Sequence, residues 1–397
     1  MNGLIASYRA AFAGLPRAAW ILAVVAFVNR AGTMVVGFLT LWLTKERGFD
    51  DATAGVLLSV YGAGAFVGTW LGGYLTDRIG ALPVQTASFA SVGVGFLVMG
   101  NLHGELVLTI TCFVVAVLGE SFRPANATLI AQTCDAETRT KAYALHRLAI
   151  NLGMAISPVV GGQLAKRSYD FLFLVDGGTC LAAALLFWLA FRHFAGARVS
   201  KPADDEDPGA ARGPWSDRRF LVCLIASSGL AMVFFQMFAT LPLFLNVEWG
   251  LDEGMIGLVF AVNPVLIVLF EMVLVERLRG RHPLRIVAAG AAFVAIGFGM
   301  FSWGHGFWWG VVAIIVFTIG EMLDAPFFSG YIANRANDRN RGRYMAAFGL
   351  SHSVGFMLGP AIGTAVYATF NATVLWTGCL VIGLLSAGLF WLVSLRA

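Results

Sequence analysis

The chain is poor in charge. Asp, Glu, Lys and Arg make up 13% of its 397 residues, against about 25% in soluble domains. It also lacks the motifs of nucleotide, metal and covalent chemistry. There is no G-x-x-x-x-G-K-[ST] loop to cradle a triphosphate, no H-E-x-x-H and no G-x-S-x-G. The five cysteines (Cys112, Cys134, Cys180, Cys223 and Cys379) are scattered without a C-x-x-C pair, so the sequence offers neither a disulfide framework nor a metal set. These absences argue against an enzyme and against any cofactor. They leave an ion gradient, or the substrate's own gradient, as the energy source. A net charge of +4 carried by loop arginines gives no reason to expect a nucleic acid partner.

What is present is apolar. Hydrophobic residues are 58% of the chain, and the mean hydropathy is +0.76. Breaks at charge, Gly and Pro divide it into twelve spans: 18–44, 53–76, 83–102, 105–132, 140–166, 170–192, 218–247, 254–276, 284–302, 307–334, 342–369 and 371–395. A bilayer-crossing helix needs about 20 apolar residues, so the expected fold is all-α and integral to the membrane. Residues 1–17 lack a small-residue cleavage site, so the first span is expected to stay as an uncleaved anchor. Charge sets the orientation. Of the 27 Lys and Arg residues, 20 fall in the termini and in the loops near 78, 135–141, 193–219, 277–285 and 335–343. The opposite loops hold only Lys45, Arg47, Lys166 and Arg167. This bias predicts that both termini are cytoplasmic, in a multi-pass protein of the bacterial inner membrane. Two glycosylation-type triplets, Asn126-Ala-Thr128 and Asn371-Ala-Thr373, read as chance matches.

The longest hydrophilic stretch, Arg192–Arg219, is rich in Pro, Gly, Ala and charge and reads as a flexible linker. It divides the chain into an N-terminal six-helix bundle (1–192), a cytoplasmic linker (193–217) and a C-terminal six-helix bundle (218–397). A shift of 202 residues brings features into register. Gly48 falls on Gly250, Asp50 on Asp252, Gly55 on Gly257, Pro124 on Pro326, Arg139 on Arg341, Gly153 on Gly355, Pro158 on Pro360 and Gly161 on Gly363. Two pseudo-symmetric six-span halves in parallel repeat are a transporter architecture.

Several motifs carry a family likeness. Gly73-Tyr-Leu-Thr-Asp77-Arg78-Ile-Gly80 follows span two, Gly153-Met-Ala-Ile-Ser157-Pro158-Val-Val-Gly161-Gly162 lies on span five, and Gly355-Phe-Met-Leu-Gly359-Pro360-Ala-Ile-Gly363 lies on span eleven. With these the chain resembles the major facilitator superfamily over essentially its whole length, and within it the twelve-span drug:proton antiporter branch. It departs from the pattern at three places. Ala81 and Leu82 replace the basic pair after Gly80, Ser157 stands for a Gly, and Val115 stands where span four is expected to carry an arginine. The resemblance implies alternating access, with Gly73, Asp77, Arg78 and Gly80 at a cytoplasmic gate and spans one, four, seven and ten lining a central cavity. Independently of any family, Gly153, Gly161, Gly162 and Gly359 let helices approach closely, and Pro158 and Pro360 remove a helix hydrogen bond and permit a bend.

Charged and polar groups inside the spans mark the candidate site, because an ionisable residue at membrane depth is functional by default. Glu120 and Glu321 each lie about 21–22 Å along their spans from the outer end, at about 1.5 Å per residue. A desolvated carboxyl is a plausible proton carrier, so Glu120, Glu321 and Asp324 are the proton-coupling candidates. Arg123 is one turn from Glu120, which leaves open whether Glu120 titrates or serves as the arginine's permanent partner. Arg30 is placed either to pair with Glu120 or to meet an anionic substrate group. Arg147 and Asn151, one turn apart on span five, together with Gln236 and Asn263, complete the expected cavity set. Asp176 is placed near the outer interface, and Glu271, near the inner end of span eight, admits a snorkelling reading. His146 and His352 read either as proton relays or as packing residues.

The expected function is a proton-coupled, alternating-access secondary transporter that exports amphiphilic or cationic small molecules, a multidrug-type efflux protein working as a monomer in membrane lipid. Two alternatives stand beside it. One is a proton-driven importer of a peptide, amino acid or organic anion, with Arg30, Arg123 and Arg147 as the anion-binding set. The other is a lipid translocase.

Overall fold

The computed structural model describes residues 14–134, 136–192, 213–278, 280–336 and 340–395. Most of the expected linker, 193–217, lies outside them, as do both ends of the chain. The described residues form twelve helices long and apolar enough to cross a membrane: Arg17–Lys45, Asp51–Ile79, Ala81–Met99, Glu105–Thr133, Lys141–Ala165, Asp170–Phe191, Arg218–Met237, Glu253–Arg277, Pro283–Ser302, Phe307–Ile332, Arg343–Thr369 and Ala372–Ser394. The element order is helical throughout. These are spans one to twelve.

Local chemistry starts several of them. Asp252 accepts the Met255 amide at 2.9 Å and so caps span eight. Asp50, its equivalent under the 202-residue shift, accepts the Thr53 amide at 2.9 Å and caps span two. Each carboxylate satisfies one of the amides that a helix N-terminus leaves without an intrahelical partner. The glycines before these caps, Gly48 and Gly250, have φ of 72° and 65°, a left-handed turn that suits glycine. The repeat is therefore present in backbone conformation as well as in residue type.

Contacts gather the chain into two compact units, Met1–Val35 with Gly64–Asp205, and Val36–Ala63 with Glu206–Ala397. In the first unit, span one packs on spans five and six, and span three on spans four and six. In the second, span seven packs on eleven and twelve, and span nine on ten and twelve. The same pairings recur at the same places in the order. In the first unit the core is built from Leu22, Phe89, Leu129 and Phe187. In the second, Phe298 stacks on Trp376 and meets Phe317 edge to face. Gly153 is required at the crossing of spans one and five. A Cβ there would stand 2.7 Å from Arg30 Cβ and 2.8 Å from the Ala31 nitrogen.

The segment Val36–Ala63, the end of span one and the start of span two, belongs by contact to the second unit. Thr40 Oγ1 donates to the Ala239 carbonyl at 2.9 Å, and Lys45 Nζ pairs with Glu253 Oε1 at 2.6 Å. The Ala361 amide donates to Ser59 Oγ at 2.8 Å. Ala361 directly follows Pro360, whose ring disturbs the helix ladder, and Ser59 takes up an amide at that disturbed turn.

Spans one and seven are both interrupted, at positions related by the 202-residue shift. Span one ends one helix at Gly32 and begins another at Val35. Span seven passes through a tight 3₁₀ turn at Phe235–Met237, and a further helix, Thr240–Val247, follows. Span four divides at Ser121, between Glu105–Glu120 and Phe122–Thr133.

Candidate transport site

The second unit holds the acids of span ten. Asn263 on span eight donates from Nδ2 to Glu321 Oε2 at 2.6 Å and lies 3.1 Å from Thr318 Oγ1. Thr318 in turn donates to the Ile314 carbonyl of its own helix. Glu321 is thus fixed by a neutral amide from the neighbouring span. Asp324 lies one turn further along the same helix. Its Oδ1 is sealed from solvent and, among the described residues, has no hydrogen-bond partner. A buried carboxyl oxygen without a partner costs free energy, and groups of that kind gather at functional sites. Sequence reasoning named Asn263, Glu321 and Asp324 separately, and the fold brings Asn263 and Glu321 into contact. Thr318 was missed, although its place one turn before Glu321 was a usable signal.

The first unit distributes its polar groups differently. Glu120 Oε2 accepts a hydrogen bond from Arg123 Nε, so the two side chains are in contact. The Arg30 guanidinium stands over the Phe122 ring, 5.2 Å from its centroid, a cation–π contact. Arg147 is exposed and Asn151 half-buried. Asn126, the first residue of a glycosylation-type triplet, is 6% exposed and lies 2.8 Å from His146 Nε2.

Asp176 departs from its expected place near the outer interface. It is fully buried, and its Oδ2 accepts the Met34 and Val35 amides, both at 3.0 Å. These amides open the second helix of span one. A helix N-terminus carries unsatisfied donors and a partial positive charge, and Asp176 supplies the matching acceptor across the bundle. The hydroxyl of Ser157, the residue that departs from the glycine signature on span five, donates to the Thr33 carbonyl at the same break.

Gln236, expected in the cavity lining, has a buried and engaged side chain. Its Nε2 donates to the Gly359 carbonyl at 2.7 Å and to the Met232 carbonyl at 3.1 Å, and its Oε1 accepts from Thr240. Gly363 makes room for it, because a Cβ at that position would run into the Gln236 amide. Gln236 therefore seams spans seven and eleven. Of the expected gating residues, Asp77 and Arg78 are exposed, and Arg78 stands over Tyr74 at 4.7 Å. Gly80 has φ of 91° and ends the turn. Gly161 and Gly162 are buried on span five. Among the described residues, no group of three or more His, Cys, Asp or Glu side chains is placed to hold a metal ion.

Twelve apolar spans, a two-fold internal repeat and acids inside the helices define a membrane transporter. The Major Facilitator Superfamily profile matches residues 22–329 and 248–397, and the chain belongs to that superfamily. It is 24% identical over 369 residues to a Na(+), Li(+), K(+)/H(+) antiporter of Planococcus maritimus, covering 84% of this chain and 85% of the relative. It is 27% identical over 334 residues to the class C tetracycline resistance protein of Escherichia coli, covering 82% of each. Among solved structures, a peptide transporter of the POT type in complex with alafosfalin superposes with a TM-score of 0.80, over 96% of each chain and at 17% identity. At that identity the likeness is one of fold.

Proposed function

We propose that this transporter is a proton-coupled antiporter that exports amphiphilic or cationic small molecules across a bacterial inner membrane, with both termini in the cytoplasm and one chain as the working unit. The observation that carries the reading is Asp324, a carboxylic acid inside span ten with an oxygen closed to solvent and without a partner. It sits one turn from a second acid, which Asn263 already holds. In this reading Asp324 carries the transported proton, and Glu321 with Asn263 and Thr318 forms its polar surround. Glu120, engaged by Arg123, serves as a fixed charge. The relatives named as a cation/proton antiporter and as a tetracycline resistance protein support exchange and export. The Gly-Pro elements on spans five and eleven, with the last turns of span two and the turn at Gly80 that follows, are assigned to the movement between access states.

The test is proton movement in everted vesicles with an acidified interior, challenged with a panel of lipophilic cations and with alkali cations. Particular compounds should collapse the gradient in wild type, and Asp324→Asn should abolish the response. Glu321→Gln should reduce it by at least about tenfold, the effect of losing about 1.4 kcal/mol of coupling free energy. A gradient that still collapses in Asp324→Asn would remove that residue from the coupling role. Silence to every cation, with inward proton-driven uptake of peptides or organic anions, would replace export by import.

A further inference from the structure

A buried pair in the first unit has no part in the scheme above. Asn126 on span four and His146 on span five are 6% and 9% exposed, and Asn126 Nδ2 lies 2.8 Å from His146 Nε2. One hydrogen bond joins them, and each keeps a polar atom that is idle. Among the described residues, Asn126 Oδ1 and His146 Nδ1 have no hydrogen-bond partner. Leaving a buried polar atom unsatisfied costs about 1–3 kcal/mol, so the pair is a net burden on packing.

The internal repeat shows that the fold does not require a polar pair there. The positions 202 residues further on are Phe328 and Phe348. They meet edge to face with ring centroids 5.1 Å apart, and Phe328 is 1% exposed. The second unit fills the place with two rings, whereas the first puts an amide and an imidazole in it.

The chemistry of the pair is specific. With Asn126 donating from Nδ2, the imidazole Nε2 is the acceptor, so a neutral ring carries its hydrogen on Nδ1. When a proton is added to Nε2, that nitrogen becomes a donor. Asn126 then keeps the bond by turning its amide over and presenting Oδ1, the atom that is idle in the unprotonated arrangement. Both protonation states thus have an equivalent hydrogen bond within the pair, and the change between them needs only an amide flip. Charged groups on the surrounding elements are Arg17, Arg30 and Lys45 on span one, Glu105, Glu120 and Arg123 on span four, Lys141 and Arg147 on span five itself and Asp170 and Asp176 on span six, while span three contributes none.

We propose that Asn126 and His146 form a proton-binding site in the N-terminal unit, separate from the acids of span ten, with the Asn126 amide turning over as the proton enters and leaves. Its use in coupling rests on the proton-antiport reading, but proton binding itself does not.

The test follows the ring directly. The full-length protein is prepared in nanodiscs with isotopically labelled histidine, and the imidazole resonances of its six histidines are followed by NMR over a pH series centred on the ordinary histidine value of about 6.5. His146→Gln assigns the signal. The expected result is a reversible titration of the His146 ring. Asn126→Asp places a carboxylate against Nε2 and should raise proton affinity at least tenfold, an upward shift of the midpoint by about one pH unit or more. Asn126→Leu, which cannot turn an acceptor to the ring, should lower it. A ring that keeps one protonation state through the series overturns the proposal, as does a titration that ignores Asn126→Asp. Neither readout depends on transport, so failure here leaves the assignment of Asp324 intact.

Discussion

The interruptions of spans one and seven occupy equivalent places in the two halves, yet they are held by different chemistry. At Thr33–Val35 the free backbone donors are met by a carboxylate, Asp176, reaching from span six. At Phe235–Met237 a neutral amide, Gln236, bridges to span eleven. The position equivalent to Asp176 is Gly378, which has no side chain to offer. The partners of the two breaks also exchange roles. Ser157 donates from span five into the span-one carbonyl, whereas Gln236 of span seven donates into the carbonyl of Gly359, the counterpart of Ser157. Inside a bilayer every backbone polar group must be satisfied within the protein, so a break in a span is tolerated only with such a partner. The repeat preserves the break and the need for a partner, and leaves the partner's chemistry free to differ. One half has a buried carboxyl group at its break and the other does not.

The largest expected effect comes from removing that acceptor. Asp176→Ala leaves the Met34 and Val35 amides without their acceptor, at about 1–3 kcal/mol each. Thermal unfolding in detergent should show a loss of about 2–6 kcal/mol. Gln236→Ala should cost less, about 1–3 kcal/mol, because the Gly359 and Met232 carbonyls it deserts have a second lone pair and are more easily satisfied, and the Thr240 hydroxyl can rotate to another acceptor. Asp176→Asn separates the two contributions, since an asparagine oxygen still accepts from the amides but brings no charge to the helix N-terminus. If Asp176→Ala and Gln236→Ala cost the same, the contrast between a carboxyl and an amide at the break carries no energetic weight.

A second contrast lies at the start of span seven, in the second unit. Asp217 caps span seven through the Phe220 amide at 3.2 Å. It also holds Arg335 in a two-pronged pair, Nε to Oδ2 at 2.6 Å and an outer nitrogen to Oδ1 at 2.7 Å, and accepts from Tyr344 at 3.1 Å. Burial works against the charged form of Asp217, but the Arg335 hydrogen bonds and the Phe220 amide outweigh it and hold the carboxyl below its usual range. The same contact raises Arg335. A depressed carboxyl contributes stability that is present above its unfolded value and disappears as pH falls through the folded one. The C-terminal unit should therefore lose about 1–2 kcal/mol, the worth of a hydrogen-bonded charged pair reduced by solvent screening at the edge of the unit, as pH drops below the ordinary aspartate value of about 3.9. Asp217→Asn should remove that step. The equivalent positions in the first half are Leu15, Thr133 and Ala142, so the N-terminal unit should show no counterpart. Melting followed by a probe in each unit at neutral and acid pH would show the asymmetry or refute it.

Most of this architecture is legible in the residues, because membrane-spanning helices are written locally, as runs of apolar side chains of a required length. The pairing of Glu120 with Arg123 is equally local, one turn apart on one helix. What escapes is whatever depends on a distant neighbour. Asp176 lies six residues into span six, so depth counted along its own helix puts it near the interface; its partner, the break in span one, has no proline and no charge to announce it. The burial of Gln236 depends on Gly363, over a hundred residues away, being too small to exclude it. Asn126 drew notice only as part of a glycosylation-type triplet, and its contact with His146 is made by the packing of spans four and five. Asp324 was nameable as an acid within a span, but the absence of a partner for its Oδ1 appears only once the surrounding helices are in place.

The smallest expected effect is also the sharpest test of the repeat. Ser157→Gly restores the glycine of the family signature and removes the donor to the Thr33 carbonyl, with an expected cost of about 0.5–1.5 kcal/mol, that of a single net hydrogen bond. The second half manages with glycine at that place because Gln236 supplies a donor from the other helix, and the residue equivalent to Gln236 is Met34, which is 3% exposed. Adding Met34→Gln to Ser157→Gly would carry the whole C-terminal arrangement into the N-terminal half. If the two breaks are equivalent at the level of side-chain geometry, the new amide reaches the backbone carbonyl at position 157 and the double variant melts above the single one. If Asp176, already seated on the Met34 amide, dictates a different path through the break, the added glutamine finds no acceptor and the double variant melts below it. That sign decides whether the two halves share one kind of break with interchangeable partners or have two that differ because one was built around a carboxyl group.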